Sequence, residues 1–113
     1  MISILEQSKE FNKVQVYMMT LDSGIVSMKD VPDGTELEVD GFITFQDMKE
    51  DGATQEICSI ITTDKKTYAF QSKTFYRSLV AIHKLMDGES YTIVKRSGIS
   101  KSGRPFIDCS LKY

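Results

Sequence analysis

Residues 35–48 of the chain, TELEVDGFITFQDM, carry its clearest strand pattern. Apolar side chains recur at every second position, which is the period of a β-strand with one buried face. The residues on that face are Leu37, Val39, Ile43 and Phe45. Gly41 falls on the same face, where a missing side chain allows a bend or a bulge. The pattern therefore predicts a long, bent strand.

Four shorter strands and one helix are predicted after this strand. The strand patterns cover residues 55–63, 67–70, 90–96 and 105–111. Between the third and fourth strands the apolar period becomes helical, with Phe75, Leu79, Ile82 and Met86 on one stripe. Ser72 is a suitable N-cap for this helix, and Gly88 is a suitable stop.

The element order from residue 35 onward is β-β-β-α-β-β. This is the order of the OB-fold, a five-stranded, partly open barrel with a helix between its third and fourth strands. The predicted fold class is therefore all-β, mainly β with one helix. We expect residues 1–34 to form an N-terminal extension with an extra hairpin or strand, packed on an OB-fold domain of residues 35–113 as one structural unit. Within the extension, the alternation of KVQVYMM at residues 13–19 predicts a strand.

Composition excludes several classes of protein. The chain has 113 residues, of which 41% are hydrophobic and 27% are charged, as in an ordinary globular domain. No apolar run approaches the ~20 residues that a membrane helix needs. The first residues lack the basic and apolar regions of a secretory signal. Two cysteines, Cys58 and Cys109, are too few for a disulfide framework or a zinc site. We therefore expect a cytoplasmic protein with no membrane partner.

Charge is unevenly distributed along the chain. Residues 1–60 contain four lysines and twelve acidic residues, a balance of −8, whereas residues 61–113 contain ten basic and four acidic residues, a balance of +6. A polyanion responds to the local field rather than to the net charge of −2. The sequence is thus compatible with a basic face, and equally with charges that interleave once the chain is folded.

Residues that could support catalysis are scarce. His83 is the only histidine and lies on the predicted helix, where a partly exposed structural role is expected. The sequence contains no glycine-rich phosphate loop, no metal-ligand spacing and no nucleophile elbow. The glycines of residues 98–103 lie between two predicted strands rather than before a helix. We expect no enzymatic activity, no catalytic residue, no metal and no cofactor.

Residues that could bind single-stranded DNA are more frequent. Proteins of this kind combine basic side chains along the phosphates with aromatic rings on which bases stack. OB-folds place such groups on their second and third strands and on the loops that join strands 1–2 and 4–5. The expected phosphate contacts are Lys65, Lys66, Lys95, Arg96, Lys101 and Arg104. The expected stacking residues are Tyr68, Phe42, Phe70 and Phe106.

Alternative roles stay open for several of these residues. Phe42 alternates with Ile43 and is expected to be exposed, and Phe106 likewise points away from Ile107. Phe70 fits the barrel core equally well, because alternation does not say which face of the third strand is inward. The basic 4–5 hairpin is also compatible with an ordinary solvated edge.

Three segments resemble a known family. They are residues 38–47 (EVDGFITFQD), the Asp64-Lys65 turn leading to Tyr68, and residues 101–111 (KSGRPFIDCSL). They are similar to the small single-stranded DNA-binding proteins of tailed phages, particularly of Bacillus phages that replicate linear genomes by protein priming. The resemblance implies an OB-fold that coats displaced template strands during replication without sequence preference. It also implies base stacking on tyrosine, here at Tyr68.

The sequence therefore predicts a non-catalytic protein that coats single-stranded DNA during phage DNA replication in the cytoplasm of the bacterial host. Its expected partners are single-stranded DNA and phage replication proteins such as the DNA polymerase. RNA stays open as a ligand, because stacking and phosphate contacts do not select the sugar. The sequence does not decide between a monomer and a dimer. The alternative hypothesis is a small β-barrel protein-interaction module that docks through its acidic N-terminal half.

Overall fold

A computed structural model describes residues 2–113. Its elements are β1 (Ile2–Gln7), α1 (Lys13–Thr20), β2 (Val26–Ser27), a 3-10 turn (Met28–Asp30), β3 (Glu36–Met48), β4 (Thr54–Thr62), β5 (Thr67–Phe70), α2 (Lys73–Met86), β6 (Tyr91–Ile99) and β7 (Pro105–Leu111). From β3 onward the order is β-β-β-α-β-β. The predicted mainly β, OB-like class is confirmed.

The chain divides into two compact units. Unit 1 comprises Met1–Met28 and Asp40–Gln71, and unit 2 comprises Lys29–Val39 and Ser72–Tyr113. The long strand β3 contributes its first residues to unit 2 and its remainder to unit 1. The proposed boundary between an N-terminal extension and an OB-fold domain at residue 34 stays a prediction.

Unit 1 is built on strands in the order β2-β5-β4-β3, with β1 paired to β3. β4 and β5 are antiparallel, whereas β2 runs parallel to β5 through the pairs Val26–Tyr68 and Ser27–Ala69. β1 is antiparallel to β3, and its register shifts between Ile4 and Glu6. The chain before β3 thus supplies two extra strands, neither of them at residues 13–19.

The predicted strand at residues 13–19 is wrong, because this segment is helix α1. Asn12 caps the helix: its side chain accepts a hydrogen bond from the Gln15 N–H at 2.8 Å, and the Gln15 side chain accepts one from the Asn12 N–H at 3.0 Å. This reciprocal pair is a capping box, which the Asn-x-x-Gln spacing encodes. Val14, Val16 and Met18 recur at every second position of the helix. This two-residue period suggested a strand although the backbone is helical.

The core of unit 1 forms where α1 meets the sheet. Met19 is fully buried against Ile43, Phe45 and Ile61. Gly41 provides space for a ring, because a Cβ atom on it would lie 2.6 Å from Cζ of Phe11. α1 therefore covers the face of the sheet that carries Ile43 and Phe45.

Unit 2 combines the start of β3, strands β6 and β7, and helix α2. Glu36–Val39 pair antiparallel with Tyr91–Val94, and β7 pairs with β6 along its length. Phe75 and Leu79 of α2 are fully buried. The predicted cap is confirmed, since the Ser72 hydroxyl accepts a hydrogen bond from the Phe75 N–H at 3.1 Å.

Candidate nucleic-acid interface

The β6–β7 hairpin of unit 2 ends in a tight three-residue loop. Ser100 donates its N–H to the carbonyl of Arg104 at 2.8 Å, and Gly103 donates its N–H to the carbonyl of Ser100 at 2.8 Å. Gly103 has a φ of 85°, in the left-handed region that favours glycine. These two bonds and the left-handed glycine match a common three-residue hairpin connection. The glycine at this position thus shapes the turn itself.

Three predicted phosphate contacts are exposed on this hairpin. Arg96 lies on β6, where its Nε donates a hydrogen bond to the hydroxyl of Ser110 at 2.9 Å. Lys101 lies in the loop and Arg104 directly after it, and both side chains are exposed. The bond to Ser110 uses only Nε of Arg96, so the two terminal NH₂ groups of the guanidinium remain suited to a phosphate. The hairpin therefore presents three cationic groups to solvent.

Lys95 is not available to a phosphate, and its predicted role is wrong. It is 3% exposed, and its Nζ lies 3.0 Å from Oδ1 of Asp33. Ser97 donates its hydroxyl to the other carboxylate oxygen, and hydrogen bonds from Ser97 and Lys95 together hold the pKa of Asp33 below its usual range. Lys95 shares its strand face with Tyr91 and Ile93, which are buried. Its position two residues after Ile93 explains the burial.

Phe106 stands on the opposite face of the hairpin, beside Arg96. The register places Phe106 across from Gly98 and Arg96 across from Asp108, so all four share one face. A Cβ atom built on Gly98 would lie 2.8 Å from Cζ of the Phe106 ring. The ring thus rests on the backbone of Gly98 while 38% of the residue stays exposed. An aromatic ring and a guanidinium are brought together here on one ribbon of chain.

A second basic patch lies in unit 1, in the turn between β4 and β5. Lys65 and Lys66 are both exposed, and Lys65 has a φ of 68°. Asp64 lies in the same turn, with its Oδ2 3.9 Å from Nζ of Lys66. The pKa of Asp64 is lowered mainly by a hydrogen bond from Thr62 and to a smaller extent by the charge of Lys66. Tyr68 is the second residue of β5, directly after this turn, and is half-buried. An acid therefore accompanies the cations of this patch.

The expected exposure of Phe42 is wrong, and Phe70 belongs to the core. Each is 6% exposed. The reason lies in the neighbouring strand β4, where every residue from Cys58 to Thr62 is buried. A strand that is covered on both faces has no wet side, so alternation no longer separates core from surface. Neither aromatic side chain can stack a base in this structure.

His83 is half-buried on α2, and both cysteines lie in buried positions. Nδ1 of His83 lies 3.0 Å from the hydroxyl of Tyr91. Across residues 2–113, no three His, Cys, Asp or Glu side chains gather as a metal ion would require. Both cysteines are free and buried, and burial raises their thiol pKa, to about 12 for Cys109. They are protonated at neutral pH and are poor nucleophiles.

The helices between residues 2 and 113 include none with the length and apolarity needed to span a bilayer. Sequence reasoning missed three contacts that shape the interface: Phe106 on Gly98, Ser110 beside Arg96, and Asp33 beside Lys95. The first two are visible once the hairpin register is counted from its turn. Asp33 lies 62 positions before Lys95 and offers no local signal.

Comparison with known proteins identifies no relative. A scan against protein-family models, a search of curated proteins and a search of solved structures each give no match to this chain. The functional assignment of the chain therefore rests on its own residues and geometry.

Proposed function

We propose that this protein binds single-stranded DNA without sequence preference, through phosphate contacts and base stacking, and that it has no catalytic activity. The observation that carries the proposal is the β6–β7 hairpin, on which Arg96, Lys101 and Arg104 are exposed together with the ring of Phe106. Cations that follow a backbone and an aromatic face for a base are the two elements of such binding.

Charge supports the same hairpin. Unit 2 contains nine basic and seven acidic residues, a balance of +2, whereas unit 1 contains five basic and nine acidic residues, a balance of −4. Because the local electrostatic field governs the approach of a polyanion, the hairpin of unit 2 is the favoured binding site for the DNA strand. Lys65 and Lys66 of unit 1 form a weaker, separate patch of two cations, because Asp64 offsets part of their charge. On the β6–β7 hairpin Asp108 lies across from Arg96, but residues 97–107 contain no acid beside Lys101 and Arg104.

Aromatic stacking accounts for the absence of sequence preference. Every base has a π-face, so a ring such as that of Phe106 accepts any of them. Tyr68 is the second proposed stacking residue, on its half-buried strand in unit 1.

The biological setting that we propose is the coating of displaced strands during phage DNA replication in the host cytoplasm. Its support is the resemblance of residues 38–47 and 101–111 to small phage single-strand binders. The second of these segments covers the loop of the hairpin and β7. Phage replication proteins such as the DNA polymerase are the proposed protein partners.

Titration of oligo-dT, and of a duplex of equal length, at several salt concentrations tests the proposal. We expect tighter binding to the single strand, with log K falling against log salt by about 0.7 per phosphate contact, or about 2 for the three hairpin cations. Equal affinity for the duplex, or a flat salt response, would contradict the proposal.

The alternative function is a protein-interaction module, and one observation favours it. Val14 and Tyr17 of α1 and its C-cap residue Leu21 are exposed at helical spacing, within the acidic unit 1. Such a stripe suits a partner with an apolar surface and a basic rim. This alternative would be favoured by two results together. No oligonucleotide binds even at low salt, and the protein is retained on immobilised polylysine more strongly than its Tyr17→Ser variant.

A further inference from the structure

The contact between Gly98 and Phe106 has a consequence for ligand binding. A Cβ on Gly98 would lie 2.8 Å from Cζ, 3.1 Å from Cε1 and 3.5 Å from Cε2 of the ring. Real Cβ atoms do not approach other heavy atoms as closely as the first of these distances. A side chain at position 98 would therefore displace the tip of the ring, whereas glycine lets the ring rest on the backbone of the strand.

The backbone of Gly98 does not itself demand glycine. Positive φ angles occur at Gly34, Gly52, Gly88 and Gly103, and Gly98 is not among them. Alanine in a strand is also favoured over glycine, because glycine loses more conformational freedom on folding. The requirement at position 98 thus comes from the ring alone.

We infer that Gly98 is a positioning residue that holds the Phe106 ring ready to stack an unpaired nucleobase. The inference rests on the proposed function and assigns the site a ligand group, the base of a single strand. Ring and glycine lie in register on neighbouring strands, and pairing of an aromatic ring over a glycine is a recognised device for ordering β-sheets.

Ordering the ring before the ligand arrives lowers the entropic cost of binding. Arg96 lies two residues before Gly98 on the same face and is held by Ser110 at 2.9 Å. A guanidinium for the phosphate and a ring for the base of one nucleotide are therefore both set in place on the free hairpin. The structure assigns base recognition to this face and the remaining phosphate contacts to the loop.

Two oligonucleotides separate stacking from phosphate contacts: oligo-dT, and an abasic strand of the same length with the same phosphates. We expect wild-type protein to prefer oligo-dT. In Phe106→Ala, the affinity for oligo-dT should fall by about 5- to 150-fold, the range for losing one stacked base. The affinity for the abasic strand and the salt dependence should stay unchanged, since no charge is altered.

Gly98→Ala should reduce the preference for oligo-dT by about 2- to 12-fold, the range for one side chain that must be ordered on binding. In the Phe106→Ala background the same substitution should have no further effect, because the ring through which it acts is gone. Gly24→Ala is the matched control: it lies in a turn of unit 1, where its Cβ would meet only the flexible side chain of Asp22 at 3.2 Å.

A Gly98→Ala variant that keeps the full preference for oligo-dT would overturn the inference, as would an equal loss in the Phe106→Ala background. Thermal unfolding of each variant shows whether the fold is intact. Failure of the wild-type protein to bind either strand would overturn the proposed function itself, which distinguishes the two failures.

Discussion

Two antiparallel hairpins of this protein carry the same kinds of residue in different environments. The β4–β5 hairpin of unit 1 has Lys65 and Lys66 in its turn and aromatic residues on β5. The β6–β7 hairpin of unit 2 has Lys101 in its loop, Arg104 beside it and an aromatic residue on β7. Phe70 of the first hairpin is 6% exposed, whereas Phe106 of the second is 38% exposed. Both hairpins carry basic and aromatic residues, and they differ in how far the aromatic residues are buried.

The difference arises from how far each hairpin extends beyond packed structure. Cys58–Thr62 of β4 are buried without exception. In contrast, β6 is buried at alternate positions only up to Lys95, and residues 101–106 are all exposed. When a hairpin extends beyond the packed core, its polar and aromatic side chains stay exposed to solvent and accessible to a ligand. Strand length relative to the core therefore decides which basic turn has an exposed aromatic residue beside it.

Truncating the two phenylalanines is the strongest test of this comparison. Phe70→Ala should lower the free energy of unfolding by about 3–5 kcal/mol, as for other buried phenylalanines. Phe106→Ala should lower it by about 1 kcal/mol or less, because its ring is partly exposed. Urea unfolding of both variants measures the difference. Equal losses would show that the two aromatic residues are in equivalent environments after all.

Neutralising the two basic turns should affect DNA binding unequally. In Arg96→Gln/Lys101→Gln/Arg104→Gln, the slope of log K against log salt should fall by about 2, since three phosphate contacts are removed. In Lys65→Gln/Lys66→Gln the change should be smaller, because Asp64 lies beside these lysines. Titrations of oligo-dT over a salt series measure both slopes. A larger change in the second variant would reverse the assignment of the main interface to unit 2.

A pH-dependent effect on stability is expected at Asp33, which anchors the base of the β6–β7 hairpin through Lys95 and Ser97. Its pKa is lower in the folded protein than its usual 3.8, through hydrogen bonds from Ser97 and Lys95. Between the folded pKa of Asp33 and 3.8, the unfolded chain therefore binds more protons than the folded protein. The stabilisation by Asp33 is fully present above pH 3.8 and is lost as pH falls through the folded pKa.

Asp33→Asn removes this contribution. The wild type should be more stable than the variant above pH 3.8, and its advantage should shrink as the solution is acidified below that value. Urea unfolding of both proteins across this pH range measures the difference. An advantage that grows on acidification would contradict the direction of the pKa shift.

Much of the architecture was predictable from local patterns. The strands after residue 35, the Ser72 cap and the helix that follows depend on side-chain period and on residues within a few positions of each other. The same holds for the hairpin loop, in which Gly103 adopts a positive φ. α1 was predicted wrongly, because its apolar alternation suggested a strand and the Asn12–Gln15 spacing of its cap was not used.

Three of the ten predicted site residues were not assignable in this way, because they are buried. Arg96, Lys101 and Arg104 are exposed as expected, but Lys95 is buried against Asp33, a residue distant in sequence. Phe42 and Phe70 fail as stacking residues for a related reason: alternation identifies two faces of a strand without saying how many of them are covered.

The sequence by itself therefore determined the order of strands and the helix after residue 35, the position of the turns between them and the concentration of basic residues after residue 60. These properties depend on neighbours along the chain. Only the tertiary structure decided which aromatic and basic groups meet solvent and which glycine supports the Phe106 ring. Burial and cross-strand contact depend on segments that are far apart in sequence, and local patterns carry no record of them.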